Sequence, residues 1–367
     1  MILVGYVNTK RLIDPGYMTL FYNAKMSEVQ LYSTHGSLDS IFFNTNTGLK
    51  TGNDLLLGQT DYIGLNTISN GLQENTILVS YIACNTAGTD GIASNSSLTY
   101  NTVTNGANIA LGFKKEISYS RAAEPWAERY NERLAQGYGV EDAAEYASQF
   151  MYLDSSIYSW HLVYNSSVAS TNMKIGNYYS ANDLGGTANY TRNLIKNEEQ
   201  LSKISTQKDI VNQLKNIDET FNEDNYEITS EISTIYDING YDSREIEYVV
   251  ARLKIGNFNT NAGYVARIEN NTITAIYDNN INLTLQEDAL KNKSQFNMTV
   301  DKNTLNNLKN KAIIIGEERY TNTKISVKEE EIEYFYDIEE NKKYIVVPII
   351  STGYDEEKLI DLIMYQI

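Results

Sequence analysis

Two rare side chains in this sequence are of the types needed for catalysis by a thiol nucleophile. Cys84 is the only cysteine, and His35 is one of two histidines. They stand about fifty residues apart, with the histidine first. An imidazole can take the proton of a thiol near neutral pH, and the thiolate then attacks a carbonyl carbon. The pair therefore predicts a covalent mechanism with Cys84 as nucleophile and His35 as general base, without a metal or cofactor.

Each member of the pair follows a run with the pattern of a β-strand. Residues 29–33 precede His35, and the apolar run 76–82 precedes Cys84. In a parallel sheet, functional side chains collect at the carboxyl ends of the strands. We therefore expect both residues at one rim of a sheet. The backbone amides of Gly36 and Cys84 could donate there to a developing oxyanion.

A purely structural interpretation of these residues also exists. A lone cysteine after an apolar strand is more often a small buried hydrophobe than a nucleophile. A histidine before a glycine is usually a loop residue. The joint occurrence of His35 and Cys84, each at a strand end, favours catalysis. The second histidine, His161, lies in an apolar run, and we expect it to be a core residue with satisfied hydrogen bonds.

The pattern before residue 190 alternates between strands and helices. This alternation predicts an α/β domain with a largely parallel sheet flanked by helices. The expected strands are 18–21, 29–33, 40–43, 76–82 and 107–113, and the expected helices are 61–73, 97–104, 122–136 and 140–150.

The pattern changes after about residue 225 to a meander of strands, which predicts a smaller α+β domain. The chain is therefore expected to hold an α/β domain at 1–190, a helical linker at 191–224 and an α+β domain at 225–367. In the last of these we expect strands at 247–253, 263–268, 273–277, 312–315, 324–327, 332–336 and 344–350, a turn at 270–271 and a terminal helix from Glu356.

Composition excludes some classes of partner. The net charge of −17 opposes binding to nucleic acid or to an anionic membrane. No apolar run approaches the roughly 18 residues of a membrane-spanning helix, so we expect no membrane span. One cysteine cannot form an internal disulfide, which leaves two compartments open. The protein is expected to be soluble, either cytoplasmic or exported with its signal absent from this chain.

The blocks around the two residues resemble those of a known family. Ser-Thr-His-Gly-Ser at 33–37 and Ser-Tyr-Ile-Ala-Cys-Asn-Thr-Ala-Gly at 80–88 are similar to the His-Gly and Ala-Cys blocks of the caspase-like (clan CD) cysteine peptidases. The likeness is closest to the CHAT branch and more distant to clostripain and gingipain. It continues through 106–113 and 126–144. Only 34 residues precede His35, fewer than members of the family usually have, so we expect either a shortened front of the domain or a chain that is a fragment or processing product.

The resemblance implies a caspase-like α/β fold, a Cys–His dyad and hydrolysis of a polypeptide substrate through an acyl-enzyme. A preference for basic side chains, as in the clostripain-like relatives, would require an acid near the site. Asp39 and Asp90 are nearest in sequence to the dyad, followed by Asp54 and Glu124. From the order of the domains alone, residues 225–367 are expected to regulate or inhibit the peptidase from within the chain, or to position its substrate.

Two other functions remain open. The chain could be a catalytically inert caspase-like scaffold whose C-terminal domain binds a partner. It could also be another thiol acyltransferase, such as an L,D-transpeptidase. Those enzymes carry a His-Gly-type element directly before the cysteine, and Tyr81-Ile82-Ala83 stands there instead, which disfavours this third function.

Overall fold

The computed structural model describes residues 29–33, 35–36, 41–43, 53–55, 76–88, 97–175, 207–240, 243–319, 324–352 and 357–367. Twelve strands of this described part form one sheet with helices packed against it, and three more form a small second sheet. The α/β class predicted from the sequence is therefore confirmed. The expected strand 18–21 and helix 61–73 lie outside the described residues.

The strands are numbered in chain order. They are β1 (Val29–Ser33), β2 (His35–Gly36), β3 (Ile41–Phe43), β4 (Asn53–Leu55), β5 (Leu78–Ile82), β6 (Ile109–Phe113), β7 (Trp160–Tyr164), β8 (Tyr226–Asp237), β9 (Ser243–Ile255), β10 (Phe258–Glu269), β11 (Thr272–Asp278), β12 (Ile325–Val327), β13 (Glu333–Asp337), β14 (Lys342–Thr352) and β15 (Glu357–Gln366). The α-helices are α1 (Leu98–Thr104), α2 (Glu124–Ala135), α3 (Val140–Ala147), α4 (Gln207–Ile217), α5 (Leu283–Lys291) and α6 (Lys302–Arg319).

The large sheet is mixed. Strands β1, β5 and β6 run parallel to one another, and β7 then pairs antiparallel with β6. Strand β8 pairs parallel with β7 and opens the meander β8–β9–β10–β11. Strand β13 joins β10, and β14 carries β12 and β15. Strands β5, β6 and β7 are buried throughout, which explains their continuous apolar sequences.

The apolar face and the ends of helix α2 agree with the sequence pattern that predicted it. Trp126, Tyr130 and Leu134, spaced by four residues, are fully buried against the sheet. The indole ring of Trp126 stacks on Tyr130, with ring centres 5.0 Å apart. Pro125 at the first turn suits a helix start, and Gly137, with φ of 82°, follows its end. A π-helical turn, Tyr119–Ala123, precedes the helix directly.

The strand meander also matches its sequence. The predicted turn between β10 and β11 is confirmed, because Asn270 and Asn271 both have positive φ angles, 52° and 56°. Two successive residues in the left-handed conformation form the tight turn of a two-residue β-hairpin. After glycine, asparagine is the residue type that tolerates this conformation best. The large sheet runs from β1 to β14 without a break, across the expected linker. The division at 191–224 stays a prediction.

Two elements predicted from sequence are wrong. Residues 312–315 are not a strand but lie inside α6, and the expected terminal helix from Glu356 is strand β15. The Asp301 carboxylate accepts from the amide of Thr304 and from its hydroxyl, which fixes the start of α6. Leu308, Ala312 and Ile315 then pack at helical spacing on the core under β12 and β14. Tertiary packing outweighs the strand preference of the three consecutive isoleucines.

Candidate functional site

The backbones of β1 and β5 bring the positions of His35 and Cys84 to one rim of the sheet. Ser33 pairs with Ile82 at the end of this parallel register. His35 and Cys84 each stand two positions beyond that pair. Neighbouring strands lie about 4.8 Å apart, so the two chain segments leave the sheet side by side at the carboxyl ends of their strands.

Hydrogen bonds to β6 fix the turn that carries Cys84. The Thr86 hydroxyl donates to the carbonyl of Ala83 at 3.0 Å and accepts from the amide of Phe113 at 3.3 Å. The amide of Ala87 donates to the Phe113 carbonyl at 3.0 Å. Asn85 adopts a left-handed conformation with φ of 56°, which asparagine tolerates better than other side chains. The turn is thus held in one geometry by its own residues and by the end of β6.

The Cys84 side chain is covered in this conformation. The residue is 7% exposed and belongs to the core cluster beneath α2 and α3. Its Sγ lies 3.4 Å from the amide nitrogen of Ile117 and 3.6 Å from the carbonyl oxygen of the same residue. A thiol can donate to that carbonyl, and a thiolate can accept from that amide. The Ile117 backbone therefore offers a partner to both protonation states of the sulfur.

Gly112 makes room for the Cys84 turn. A β-carbon at this position of β6 would lie 2.6 Å from Thr86 Oγ1 and 2.8 Å from Thr99 Cγ2. Atoms do not approach so closely, so the turn can rest on β6 only because this residue is glycine. Gly112 lies in the block 106–113 of the family resemblance, and a glycine near the end of a buried strand is itself a signal of close backbone approach.

The segment after His35 forms a small antiparallel sheet. His35 pairs with Phe42, and Phe42 pairs with Asp54 on the next strand. His35 and Asp54 therefore occupy one row across β2, β3 and β4, while Gly36 pairs with Ile41. The strand expected at 40–43 is confirmed as β3.

Of the other acidic candidates, the structure describes Glu124 alone. Asp39 and Asp90 lie outside the described residues. Glu124 is exposed at the first turn of α2. Of the four acids proposed from the sequence, Asp54 is the one that the described backbone aligns with His35.

His161 is a core residue on the other face of the sheet. Its neighbours Trp160 and Leu162 belong to the same cluster as Cys84, and side chains alternate between faces along a strand. Burial first, and then the charge of Lys114, lowers the pKa of His161 to about 3. Its burial was predicted. Within the described part of the chain, however, neither ring nitrogen has a hydrogen bond of ordinary geometry.

A short segment that the sequence did not single out links the Cys84 turn to the second half of the chain. We name residues 114–118 the bridge segment. Its Lys115 carbonyl accepts from the amide of Asn85 at 3.2 Å, and its Ile117 contacts the Cys84 sulfur. The Lys115 ammonium pairs with Glu231 on β8 at 2.7 Å. The segment follows β6, so its position at the same rim was readable from the strand order alone.

No protein-family model matches the chain, and no curated protein matches it. Among the described residues there is no group of three or more His, Cys, Asp or Glu side chains that could hold a metal ion. None of the helices in the described ranges is both long and apolar enough to cross a membrane.

Proposed function

We propose that this protein is a caspase-like cysteine endopeptidase, with Cys84 as nucleophile and His35 as general base. The observation that carries the proposal is the parallel register of β1 and β5, which ends at Ser33 and Ile82. Two neighbouring strands that deliver a histidine and a cysteine to one rim provide the minimum for a thiol–imidazole dyad. The fixed turn around Cys84 adds the rigidity that a positioned nucleophile needs.

The proposed reaction has two steps. The His35 imidazole takes the proton of the Cys84 thiol, and the sulfur bonds to the carbonyl carbon of the scissile peptide. The amides of Gly36 and Cys84 donate to the oxyanion that forms. The peptide C–N bond then breaks, and the leaving amine takes the proton from His35. In the second step a water molecule, deprotonated by His35, attacks the thioester and releases the acid and the free thiol.

The burial of Cys84 supports the second candidate, a catalytically inert scaffold. A side chain that is 7% exposed and packed in a core cluster is typical of a structural cysteine. In that case the C-terminal domain would bind a partner, and the rim with Cys84 would have no catalytic role. The two functions differ in one measurable property, the chemical reactivity of the only thiol in the chain.

The decisive experiment uses this single thiol. We expect Cys84→Ala and His35→Ala to reduce cleavage of a mixed peptide library by at least about a thousandfold, because each removes a member of the dyad. A peptide-derived electrophile should label the wild type at Cys84 and label His35→Ala much more slowly. His161→Gln is the matched histidine control and should retain cleavage. Full activity of Cys84→Ala would exclude the peptidase. An inert, unlabelled Cys84 in the folded wild type would favour the scaffold.

A further inference from the structure

The bridge segment contacts the C-terminal strand as well as the Cys84 sulfur. Glu116 Oε2 accepts from the backbone amide of Leu359 on β15, at 2.8 Å. The next residue, Ile117, gives its own amide to Cys84 Sγ at 3.4 Å. One peptide unit therefore separates the residue that holds β15 from the residue that holds the sulfur.

Strand β15 lies against the bridge segment. Its pairing with β14 shifts register between Ile349 and Ile350, and Ile360 is the extra residue of the resulting bulge. Leu359, directly before the bulge, presents its amide to Glu116. The strand also packs on the π-helical turn Tyr119–Ala123, which begins two residues after Ile117. Bulges and π-helical turns both recur where a chain changes direction next to a functional group.

Strand β15 is an edge element of the sheet. Among the described strands, β15 pairs with β14 alone, so the edge towards the bridge segment is held by side-chain contacts. Edge elements open locally with smaller free energies than central strands. The central strands β5 and β6, by contrast, are paired on both sides and fully buried.

We infer that β15 is an autoinhibitory latch that keeps Cys84 covered through the Glu116–Ile117 bridge. With β15 docked, Glu116 is fixed, Ile117 lies on the sulfur, and Cys84 is 7% exposed. In that state the sulfur is shielded from a peptide carbonyl, so the wild type cleaves peptides and reacts with electrophiles through the fraction of molecules in which β15 is released. Release of β15 removes the Leu359 amide from Glu116, loosens Glu116 and Ile117 and uncovers the thiol, while the Ser118 amide stays anchored on Asp154 Oδ2 at 2.7 Å. The regulatory meaning of the latch rests on the proposed peptidase, whereas the coupling of β15 to the thiol does not.

The coupling can be measured without a substrate. In the full-length protein, we expect Glu116→Ala to speed alkylation of Cys84 by iodoacetamide by about tenfold or more, the effect of losing one hydrogen bond to a charged acceptor. Glu116→Gln keeps an acceptor oxygen and should react close to the wild-type rate. Hydrogen exchange at the Leu359 amide should rise in Glu116→Ala in parallel with alkylation.

A matched control separates the latch from a general loss of stability. Tyr264→Phe removes a hydrogen bond of the same kind, from the Tyr264 hydroxyl to Asp218 at 2.7 Å, in the core cluster beneath α4. It should leave the alkylation rate unchanged. Equal acceleration in both variants would overturn the latch, and so would faster exchange at Leu359 without faster alkylation.

The outcomes also distinguish the latch from the peptidase. If alkylation accelerates in Glu116→Ala but peptide cleavage survives in Cys84→Ala, the latch stands and the proposed peptidase function fails. If cleavage depends on Cys84 but neither alkylation nor cleavage responds to Glu116→Ala, the peptidase stands and the latch fails. If both hold, Glu116→Ala should cleave peptides faster than the wild type by a factor similar to its gain in alkylation.

Discussion

The geometry of Cys84 is set by small residues around it. The residue before the cysteine is alanine, and the turn after it passes through Asn85 in a left-handed conformation and Thr86 with two hydrogen bonds. Below the turn, Gly112 leaves the space that Thr86 Oγ1 fills. The contacts of the sulfur with the Ile117 backbone, at 3.4 and 3.6 Å, are weak hydrogen bonds. The position of the sulfur therefore depends on neighbouring residues that have no catalytic role.

A substitution at Gly112 tests how far the geometry of the Cys84 turn depends on these small residues. We expect Gly112→Ala to lower the free energy of unfolding by about 1–3 kcal/mol, because the new methyl group overpacks the space beside Thr86 Oγ1. Thr86→Ala removes that oxygen, so the Gly112→Ala penalty should be smaller in the Thr86→Ala background. Urea denaturation of the four proteins of the cycle measures the coupling. Identical penalties in both backgrounds would show that Thr86 is not the neighbour that excludes a side chain.

Helices α2 and α3 and strand β7 are joined through one hydroxyl. Ser148, directly after α3, accepts from the indole nitrogen of Trp126 at 3.2 Å and of Trp160 at 3.0 Å. It donates its own proton to the Ala144 carbonyl at 2.9 Å. Both tryptophans are fully buried. A single serine thus satisfies the only polar atoms of the two largest side chains in this core.

We expect Ser148→Ala to lower the free energy of unfolding by about 2–5 kcal/mol, because it leaves two buried indole N–H groups without acceptors. The chain has two tryptophans, so intrinsic fluorescence during urea unfolding follows this core directly. Ser230→Ala, at an exposed position of β8, is the control and should change stability by less than about 0.5 kcal/mol. A cost for Ser148→Ala as small as the control's would mean that the indoles find other acceptors.

The elements that sequence predicts well are those whose local and tertiary preferences agree. The apolar strands β5 and β6 and the amphipathic helix α2 are buried as their patterns require. In α6 and β15 the local preference differs from the observed structure, which is determined by packing of α6 under β12 and β14 and by pairing of β15 with β14. The rim positions of His35, Cys84 and the bridge segment follow from strand order. The role of the bridge segment does not, because it depends on contacts with β8 and β15.

At the scale of the whole molecule, the two halves of the chain share a sheet and a charged cluster. Strand β8 extends the sheet beyond β7, and the side chains of α3 face the meander. Arg267 on β10 binds Glu145 of α3 at 2.6 Å and Glu269 at 3.1 Å. Arg244 on β9 binds Glu141 of α3 and also Glu269, the latter at 3.0 Å. These pairs connect α3 to two central strands of the second half.

Glu145 and Glu269 both pair with Arg267, but their contributions to the stability of the fold should change with pH in opposite directions. Burial raises the pKa of Glu145, despite the opposing charge of Arg267. Burial acts in the same direction on Glu269, but the hydrogen bond from Arg244 and the charge of Arg267 outweigh it and lower the pKa of that carboxyl. A raised folded pKa means that stability falls as the pH rises through it. A lowered one means that stability is present above the unfolded pKa of about 4.3 and is lost as the pH falls.

We therefore expect Glu269→Gln to reduce the free energy of unfolding more near neutral pH than near pH 4, because the ionised Glu269 stabilises the fold only above its unfolded pKa. Glu145→Gln should show the reverse, with its most favourable effect near neutral pH, where the native protein otherwise carries a buried ionised carboxylate. Urea denaturation at the two pH values measures both differences, and the exposed Glu245→Gln on β9 should show neither. Parallel pH dependence in the two variants would mean that Arg267 and Arg244 stabilise both carboxylates alike, and that α3 is held to the meander by charge rather than by packing.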